Sequence, residues 1–326
     1  MAGPADIGPA MHPTLHLRIL LATRNGAAFL PAQLDSFAAQ TWPDWSLMVG
    51  DDGSQDATRA VLAGFAACHP GRLVAVQDGP GTGAAANFLM LLHRSVAADP
   101  GATVAFSDQD DVWLPDKLDR AARWLASHGA AEGRVLAWAC RTVLTDDRLR
   151  PIGESRRHQR PPEFGNALVQ NILAGNTIVL SPAAAAALAA TVPAALAAGV
   201  PHHDWWTYQV MTGIGATIGM EDAPLVLYRQ HDANMMGHHG PVRGRLQRLG
   251  TVVQRDYAGW ITANTTALMA CAAQLTPEAR SLLTGFAAAR AAGPRTLAAA
   301  LPRLGIHRQT AAGDRILRLV ALAGRL

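Results

Sequence analysis

The sequence predicts an α/β protein with a mainly parallel central sheet flanked by helices, followed by a helical extension. Three observations predict it. Short apolar runs alternate with helix-length amphipathic stretches through the first third of the chain. Each run empties into a polar or acidic turn: Thr23-Arg24-Asn25-Gly26, Asp51-Asp52-Gly53-Ser54, Asp78-Gly79-Pro80-Gly81 and Ser107-Asp108-Gln109-Asp110-Asp111. Beyond Gly240 only helical periodicity remains. Such alternation gives parallel strands joined by right-handed crossover helices. Ligands of these sheets bind outside the carboxyl ends of the strands, where all four turns fall.

The elements follow in order. Leu17–Ala22 is the first strand, and Phe29, Leu30, Leu34 and Phe37 give the next helix one apolar face, ended by Trp42-Pro43. Ser46–Gly50 is the second strand, a helix runs to about Ala67, and Leu73–Gln77 is the third strand. The glycine turn Asp78–Gly83 precedes a helix carrying Asn87, Phe88, Leu91 and Leu92, and Thr103–Phe106 is the fourth strand. Pro115 marks the first turn of a helix to about Ser127, where its missing N–H costs nothing. Val135–Leu144 reads as a strand and Thr145–Gly165 as a long charged loop, a lid, a binding segment or a disordered one. Asn166–Ala174 begins a second block, Gly175-Asn176-Thr177 leads into strand Ile178–Ser181, and Pro182 starts an alanine-rich helix. His202-His203-Asp204-Trp205-Trp206 opens another helix, and Thr217-Ile218 and Leu225–Tyr228 read as two strands. The last helices are placed at about Val242–Ala273, Pro277–Ala291 and Asp314–Leu322.

Composition bounds the class. With 326 residues, 49% hydrophobic and 16% charged, the chain can bury a large core and is not a disordered one. Residues 1–14, rich in Gly, Ala and Pro, are expected to be disordered. Cys68, Cys140 and Cys271 lie far apart without metal-site spacing, which fits reduced thiols in a cytoplasm. The N-terminus lacks the order of a secretory leader, and the longest apolar stretch, Ala183–Ala198, is short for a membrane span and broken by Pro193. The net charge of +3 hides an asymmetry: from Pro241 onward there are twelve arginines and three acids. A basic tail on an acidic body fits peripheral contact with an anionic membrane, and equally a set of solvated helix faces.

The turn after Phe106 crowds three carboxylates, which repel unless a cation joins them. Mg²⁺ or Mn²⁺ commonly takes one or two carboxylates plus a substrate's phosphates. An isolated pair of this kind is more often a polar turn with a helix cap; the other acidic strand ends shift the reading toward a nucleotide diphosphate held with a metal. Asp51 or Asp52 is suited to a pyrimidine N–H or a ribose hydroxyl, and Asp108 and Asp110 to ribose and metal. His231 is either a further metal ligand or a loop imidazole bonded to backbone. His202 and His203, beside two tryptophans, read as pocket wall. The glycine turn is not the dinucleotide fingerprint, and no P-loop is present.

Ile19–Asn25, Gln33-Leu34-Asp35-Ser36, Gln40-Thr41, Asp51-Asp52-Gly53-Ser54-x-Asp56, Asn87-Phe88, Ser107–Asp111 with Trp113, Pro115, Lys117 and Leu118, His203–Trp206 and Leu225–His231 occur in that order. Together, over Leu17–Gly237, they resemble family 2 glycosyltransferases of the GT-A fold, nearest the rhamnosyltransferase-like enzymes of bacterial surface polysaccharides. The resemblance implies domains at 15–240, with a nucleotide-binding half to 130 and an acceptor half from 131, and an Arg-rich extension over 241–326. It implies an inverting transferase using a nucleotide-diphosphate sugar, dTDP-rhamnose or a UDP-sugar, with Mg²⁺ or Mn²⁺, and a saccharide or lipid-linked acceptor rather than nucleic acid. By the same resemblance Asp52, with Asp51 beside it, contacts the base; Thr23, Asn25, Asn87 and Asp108 line the nucleotide pocket. Asp108, Asp110 and His231 are the expected metal ligands, and Asp204 the catalytic base. Asp111, Trp113, Asn176, His203, Trp205 and Trp206 are expected around the sugar and acceptor. The chain departs from the family at Ala86, where many members carry an arginine facing the diphosphate. A sugar-phosphate nucleotidyltransferase would need a longer, more basic glycine loop after the first strand. A glycoside hydrolase would use two carboxylates without a nucleotide rim. A non-catalytic sugar-nucleotide-binding scaffold would keep the fold alone.

Overall fold

The computed structural model describes residues 15–230 and 246–326, without the side chains of 246–256. The expected disordered segment 1–14 and His231 lie outside the described residues. The first half runs β1 (Leu17–Thr23), α1 (Leu30–Ala38), β2 (Trp45–Asp51), α2 (Thr58–Cys68), β3 (Leu73–Asp78), α3 (Ala84–Ala98) and β4 (Thr103–Ser107). The second half runs β5 (Val112–Trp113), α4 (Lys117–Ser127), β6 (Leu136–Thr145), β7 (Pro151–Glu154), α5 (Phe164–Ala167), β8 (Val179–Leu180), α6 (Pro182–Ala189), α7 (Val192–Ala197), α8 (His203–Gly213) and β9 (Thr217–Arg229). Helices α9 (Leu246–Ala270), α10 (Pro277–Ala291), α11 (Pro294–Arg303) and α12 (Ala311–Leu322) close the chain.

All nine strands join one sheet in the order β3-β2-β1-β4-β8-β6-β9-β5, with β7 on β6. The first four strands pair in parallel, as the βα alternation requires. The second half is mixed: β8 runs against both β4 and β6, β6 and β9 are parallel, and β5 opposes β9. The sheet is therefore parallel from β3 to β4 and mixed beyond β4.

Strand alternation divides the apolar residues between two faces. Leu17, Ile19 and Leu21 pack with Leu34, Phe37, Leu62 and Leu125 on one face. Leu20, Met48 and Phe106 face the other, with Phe88, Trp206 and Met211. The C-terminal helices complete that second layer: Leu268, Leu283, Phe286, Leu297, Leu301 and Leu317 belong to the same core. Polar ties reinforce it. Asn166 Nδ2 donates to the His307 carbonyl at 3.0 Å, Gln309 N to Gln170 Oε1 at 2.9 Å, and Arg160 pairs with Asp314 at 2.9 Å. The extension is thus built into the second half by shared packing.

Several boundaries differ from the sequence reading. The two strands expected over 217–228 are one, because Pro224 sits at a register shift opposite Arg141 and does not interrupt the ladder. The alanine-rich stretch forms two short helices, broken before Pro193. The 145–165 loop contains β7, pinned by Arg141 Nη2 to Glu154 at 2.7 Å. Helix α11 was not foreseen; Pro294 opens it, and Pro302 lies in its last turn. Helix α4 starts at Lys117, two residues after Pro115, because Pro115 and Asp116 form a turn bonded to Thr41.

Candidate active site

The carboxyl ends of β1, β2, β3 and β4 meet as adjacent turns on one rim. Gln109 fastens two of them together. Its Oε1 accepts from the Thr23 hydroxyl at 2.6 Å and from Arg24 N at 2.9 Å, and its Nε2 donates to Arg24 O at 3.3 Å. Gly26 makes room for this clamp, since a Cβ there would lie 2.3 Å from Gln109 Oε1. Asn25 adopts a left-handed φ of 49°, which asparagine tolerates better than most residues. Its N donates to Ser54 Oγ at 2.8 Å, and its Oδ1 accepts from Gln55 N at 2.8 Å. The β1 turn is therefore tied to both neighbours.

Asp51 is fully buried and engaged: Ser54 N donates to Oδ1 at 3.0 Å and Arg59 Nε to Oδ2 at 2.7 Å. Burial alone would raise its carboxyl, but Ser54 and Arg59 together hold it below the ordinary carboxylate range. Arg59 also binds Asp78 at 2.5 Å. Asp52 clasps the glycine turn, accepting from Gly81 N at 2.6 Å and Gly83 N at 3.1 Å. Asn87 is buried, and its Nδ2 donates to Gly50 O at 2.8 Å. Glycine at position 50 lets the Asn87 amide sit against β2, where it ties α3 to that strand.

The acidic turn after β4 is braced from three sides. From α1 and the residues just after it, Gln33 Nε2 donates to Ser107 Oγ at 2.7 Å, Ser36 Oγ accepts from Trp113 N at 3.1 Å, and Gln40 Nε2 donates to Leu114 O at 2.9 Å. From the end of β9, Arg229 N donates to Asp111 Oδ1 at 3.1 Å and Arg229 Nε to Asp110 O at 2.8 Å. From the turn before β8, Asn176 Nδ2 donates to Asp111 Oδ2. Asp111 is wholly buried, and burial pushes its carboxyl up to about 8, with the Asp110 charge adding to the shift. Asp111 and Asn176, expected near the sugar, brace the turn: Asp111 uses one oxygen on Asn176 and the other on Arg229, and Asn176 keeps its own Oδ1 without a hydrogen-bond partner. Trp113 is also internal: its ring meets Phe37 edge-on at 4.8 Å and carries the Lys117 ammonium 3.3 Å from its centroid. Lys117 is fully buried, and burial lowers its amine to about 7.

Asp204 approaches from a different part of the chain. It lies in the first turn of α8, partly buried, and accepts from Trp205 N at 2.7 Å. Burial raises its carboxyl to about 6, opposed by hydrogen bonds from Trp205, Gly175 and Asn171. Gly175 permits that approach: a Cβ would lie 2.7 Å from His203 Nε2 and 3.4 Å from Asp204 Cβ. Asp108 is partly buried, and burial followed by the charges of Asp111, Asp110 and Asp204 pushes it well above the usual range. The four carboxylates are therefore close enough to act on one another. The Tyr228 phenol, raised by burial first, feels all four. Its place on β9 could be read in the sequence, but nothing there shows which acids it faces.

The other residues expected around the acceptor face inward. Trp205 donates its indole N–H to Ala167 O at 2.7 Å and stacks on Tyr257 with 6.1 Å between centroids. Trp206 is wholly buried and donates to Thr191 Oγ1 at 3.0 Å. His203 is buried with its ring stacked on Phe88 at 3.9 Å, and burial lowers it to about 3. None of these rings presents a face for a sugar; they fix the start of α8, and Asp204 with it.

Asp108 and Asp110 have the chemistry a divalent cation requires: hard oxygen donors in a locality with surplus negative charge. Among the described residues no three His, Cys, Asp or Glu side chains form a closed metal cage. A divalent ion held by one or two carboxylates commonly completes its shell with substrate phosphates and water. Position 86 is alanine, and rim arginine Arg59 is already bound to Asp51 and Asp78.

Residues 19–186, just over half of the chain, match the family model for glycosyl transferase family 2. The dTDP-rhamnosyl transferase RfbG of Shigella flexneri is 25% identical over 265 residues, covering 76% of this chain and 84% of the relative. A glucosyltransferase of Escherichia coli, the UDP-Glc:alpha-D-GlcNAc-diphosphoundecaprenol beta-1,3-glucosyltransferase WfgD, is 31% identical over 101 residues, 31% of this chain and 37% of its own. In three dimensions the chain is similar to residues 1–349 of S. aureus TarS, solved in complex with UDP-GlcNAc. There the TM-score is 0.52 at 14% identity, over 95% of this chain and 91% of that one. The parallel βα half, the acidic turn at its rim and the matched length make this chain a member of glycosyl transferase family 2, and an enzyme of sugar transfer.

Proposed function

We propose that the protein is an inverting transferase. It moves a sugar from a nucleotide-diphosphate donor, dTDP-rhamnose or a UDP-sugar, to a hydroxyl of a saccharide or lipid-linked acceptor during surface polysaccharide synthesis. The setting is the cytoplasm, at the inner face of the membrane. One observation carries the reading: Asp204, delivered by α8, shares electrostatic ground with Asp108 and Asp110, delivered by β4. Inversion needs those two origins, because base and leaving group work from opposite sides of the sugar.

In the reaction, the acceptor oxygen forms a bond to the anomeric carbon as the bond to the diphosphate oxygen breaks. The electron pair leaves with the nucleotide diphosphate, and Asp204 takes the acceptor's hydroxyl proton. A carboxyl raised to about 6 is still ionised at neutral pH and is a stronger base than an ordinary aspartate. Asp108 and Asp110 would hold Mg²⁺ or Mn²⁺, which would supply positive charge to the departing diphosphate. The rim turns of β1 and β2 surround the base and ribose, with Thr23, Asn25, Asp51 and Asp52 placed there. The dTDP-rhamnosyl name of the relative matched over most of both chains favours a deoxythymidine donor.

A screen of nucleotide sugars for metal-dependent release of free nucleotide, with and without acceptor, tests this. Turnover on one donor, lost on chelation, is the expected result. Binding without turnover on every donor and acceptor would leave a sugar-nucleotide-binding scaffold.

A further inference from the structure

We infer that the outward face of α12 is a docking surface for an anionic lipid bilayer. Helix α12 buries Leu317 and Ala321 against the C-terminal core and turns Ile316, Leu319 and Leu322 outward, 58%, 65% and 52% exposed. These three lie on one side of the helix at spacings of three, opposite the buried pair. No packing within the described chain accounts for them, and the turns of α12 are otherwise well formed. Thr310 Oγ1 caps its start by accepting from Gly313 N at 3.0 Å.

Charge selects the occupant. Exposed Arg315 and Arg318 lie among the three apolar side chains. The helix's only acid, Asp314, is held inward by Arg308 N at 2.6 Å and Arg160 at 2.9 Å. Residues 294–326 carry six arginines and that single acid. A second copy of the chain on this face would set Arg315 and Arg318 against like charges. A helix about 18 Å long, apolar and basic on one face, suits the boundary of an anionic bilayer, with apolar side chains among acyl chains and guanidinium groups at phosphates. Among the described residues no helix is long and apolar enough to cross a membrane, so the contact is peripheral. The inference deepens the proposed transferase function by placing the enzyme on the surface where a lipid-linked acceptor would be presented.

The test is flotation of the full chain with vesicles of phosphatidylglycerol and phosphatidylethanolamine, against vesicles of phosphatidylcholine, in low salt. Binding only to the anionic vesicles is expected. Ile316→Ser/Leu319→Ser/Leu322→Ser should lower partitioning at least about tenfold, and Arg315→Gln/Arg318→Gln should lower it in a salt-dependent way. All five side chains are exposed, and an unchanged thermal melt confirms that each variant is folded. No flotation of the native chain, or full flotation of the triple serine variant, overturns the assignment. A dimer in light scattering that the serine variant dissolves would give the face to a second copy and also overturn it. Flotation needs neither donor nor acceptor, so a chain that docks but transfers nothing counts against the transferase reading alone.

Discussion

The Thr23 hydroxyl donates to Gln109 Oε1 at 2.6 Å, so the residue between Asp108 and Asp110 is fastened to the end of β1. The turn after β1 and the turn after β4 are therefore held together. Gln109→Leu keeps the volume but removes the acceptor, leaving the buried Thr23 hydroxyl and the Arg24 amide without their partner. A loss of about 1–3 kcal/mol in stability is expected, with donor KM raised more than kcat is lowered. Thermal melts and steady-state kinetics measure both; a variant with native stability and native KM would make the clamp incidental.

Asp110→Asn should weaken Mn²⁺-dependent donor binding severely while leaving the fold intact, because Asp110 is partly exposed at the turn. Calorimetric titration with donor, with and without Mn²⁺, reads the effect. Native donor affinity together with native metal dependence would remove the metal from this turn.

Asp204→Asn keeps the shape of the side chain and its bond to Trp205 N but removes its basicity. Nucleotide and metal binding should persist, and transfer should fall at least about a hundredfold. The pH profile is a second reading of the same residue. Burial raises the Asp204 carboxyl to about 6, and only the ionised form accepts a proton. The native rate should be level above that pH and fall about tenfold per unit below it. A native profile flat through pH 5 would place the proton elsewhere.

Lys117→Met should stabilise the protein by about 1–3 kcal/mol at neutral pH, since an apolar side chain of similar volume replaces a fully buried, unbonded amine. The folded amine titrates near 7 and the unfolded one near 10.5. The unfolded chain thus binds more protons across that window, and the native protein gains stability from this group as pH rises through it. Urea unfolding between pH 7 and 9 should show a steeper rise for the native protein than for the methionine variant.

The first half was legible because its strands are short, mainly apolar runs that stop at a polar or acidic turn. β1, β2 and β4 are buried along their whole length, and burial on both faces leaves that mark in a sequence. β9 was split in the reading because Pro224 looked like a break, and a bulge cannot be seen in one strand alone. α11 is short, and its buried stripe of Leu297, Ala298 and Leu301 is set among further alanines that leave its bounds unmarked in the sequence. At the site, residue type located the acids but not the direction of their neighbours. Trp205 and Trp206 look like a sugar platform in sequence, yet their indole N–H groups are spent on Ala167 and Thr191. Asp111 looks like a third ligand until Asn176 and Arg229 are found on its two oxygens. Such assignments depend on long-range pairs, here up to 118 positions apart, which periodicity does not encode.

The two apolar faces of the sheet are completed at different points along the chain. The face holding Leu17, Ile19 and Leu21 draws its last partner from Val226, whereas the face holding Leu20 and Phe106 includes Leu317, Ala321 and Leu326. A chain leaving the ribosome can therefore seal one side of the sheet early. The other side stays open to water, or to a chaperone, until α12 emerges. A premature stop anywhere within α10 to α12 would strand that surface half-covered, so its consequence is aggregation of the whole chain and not loss of a dispensable tail.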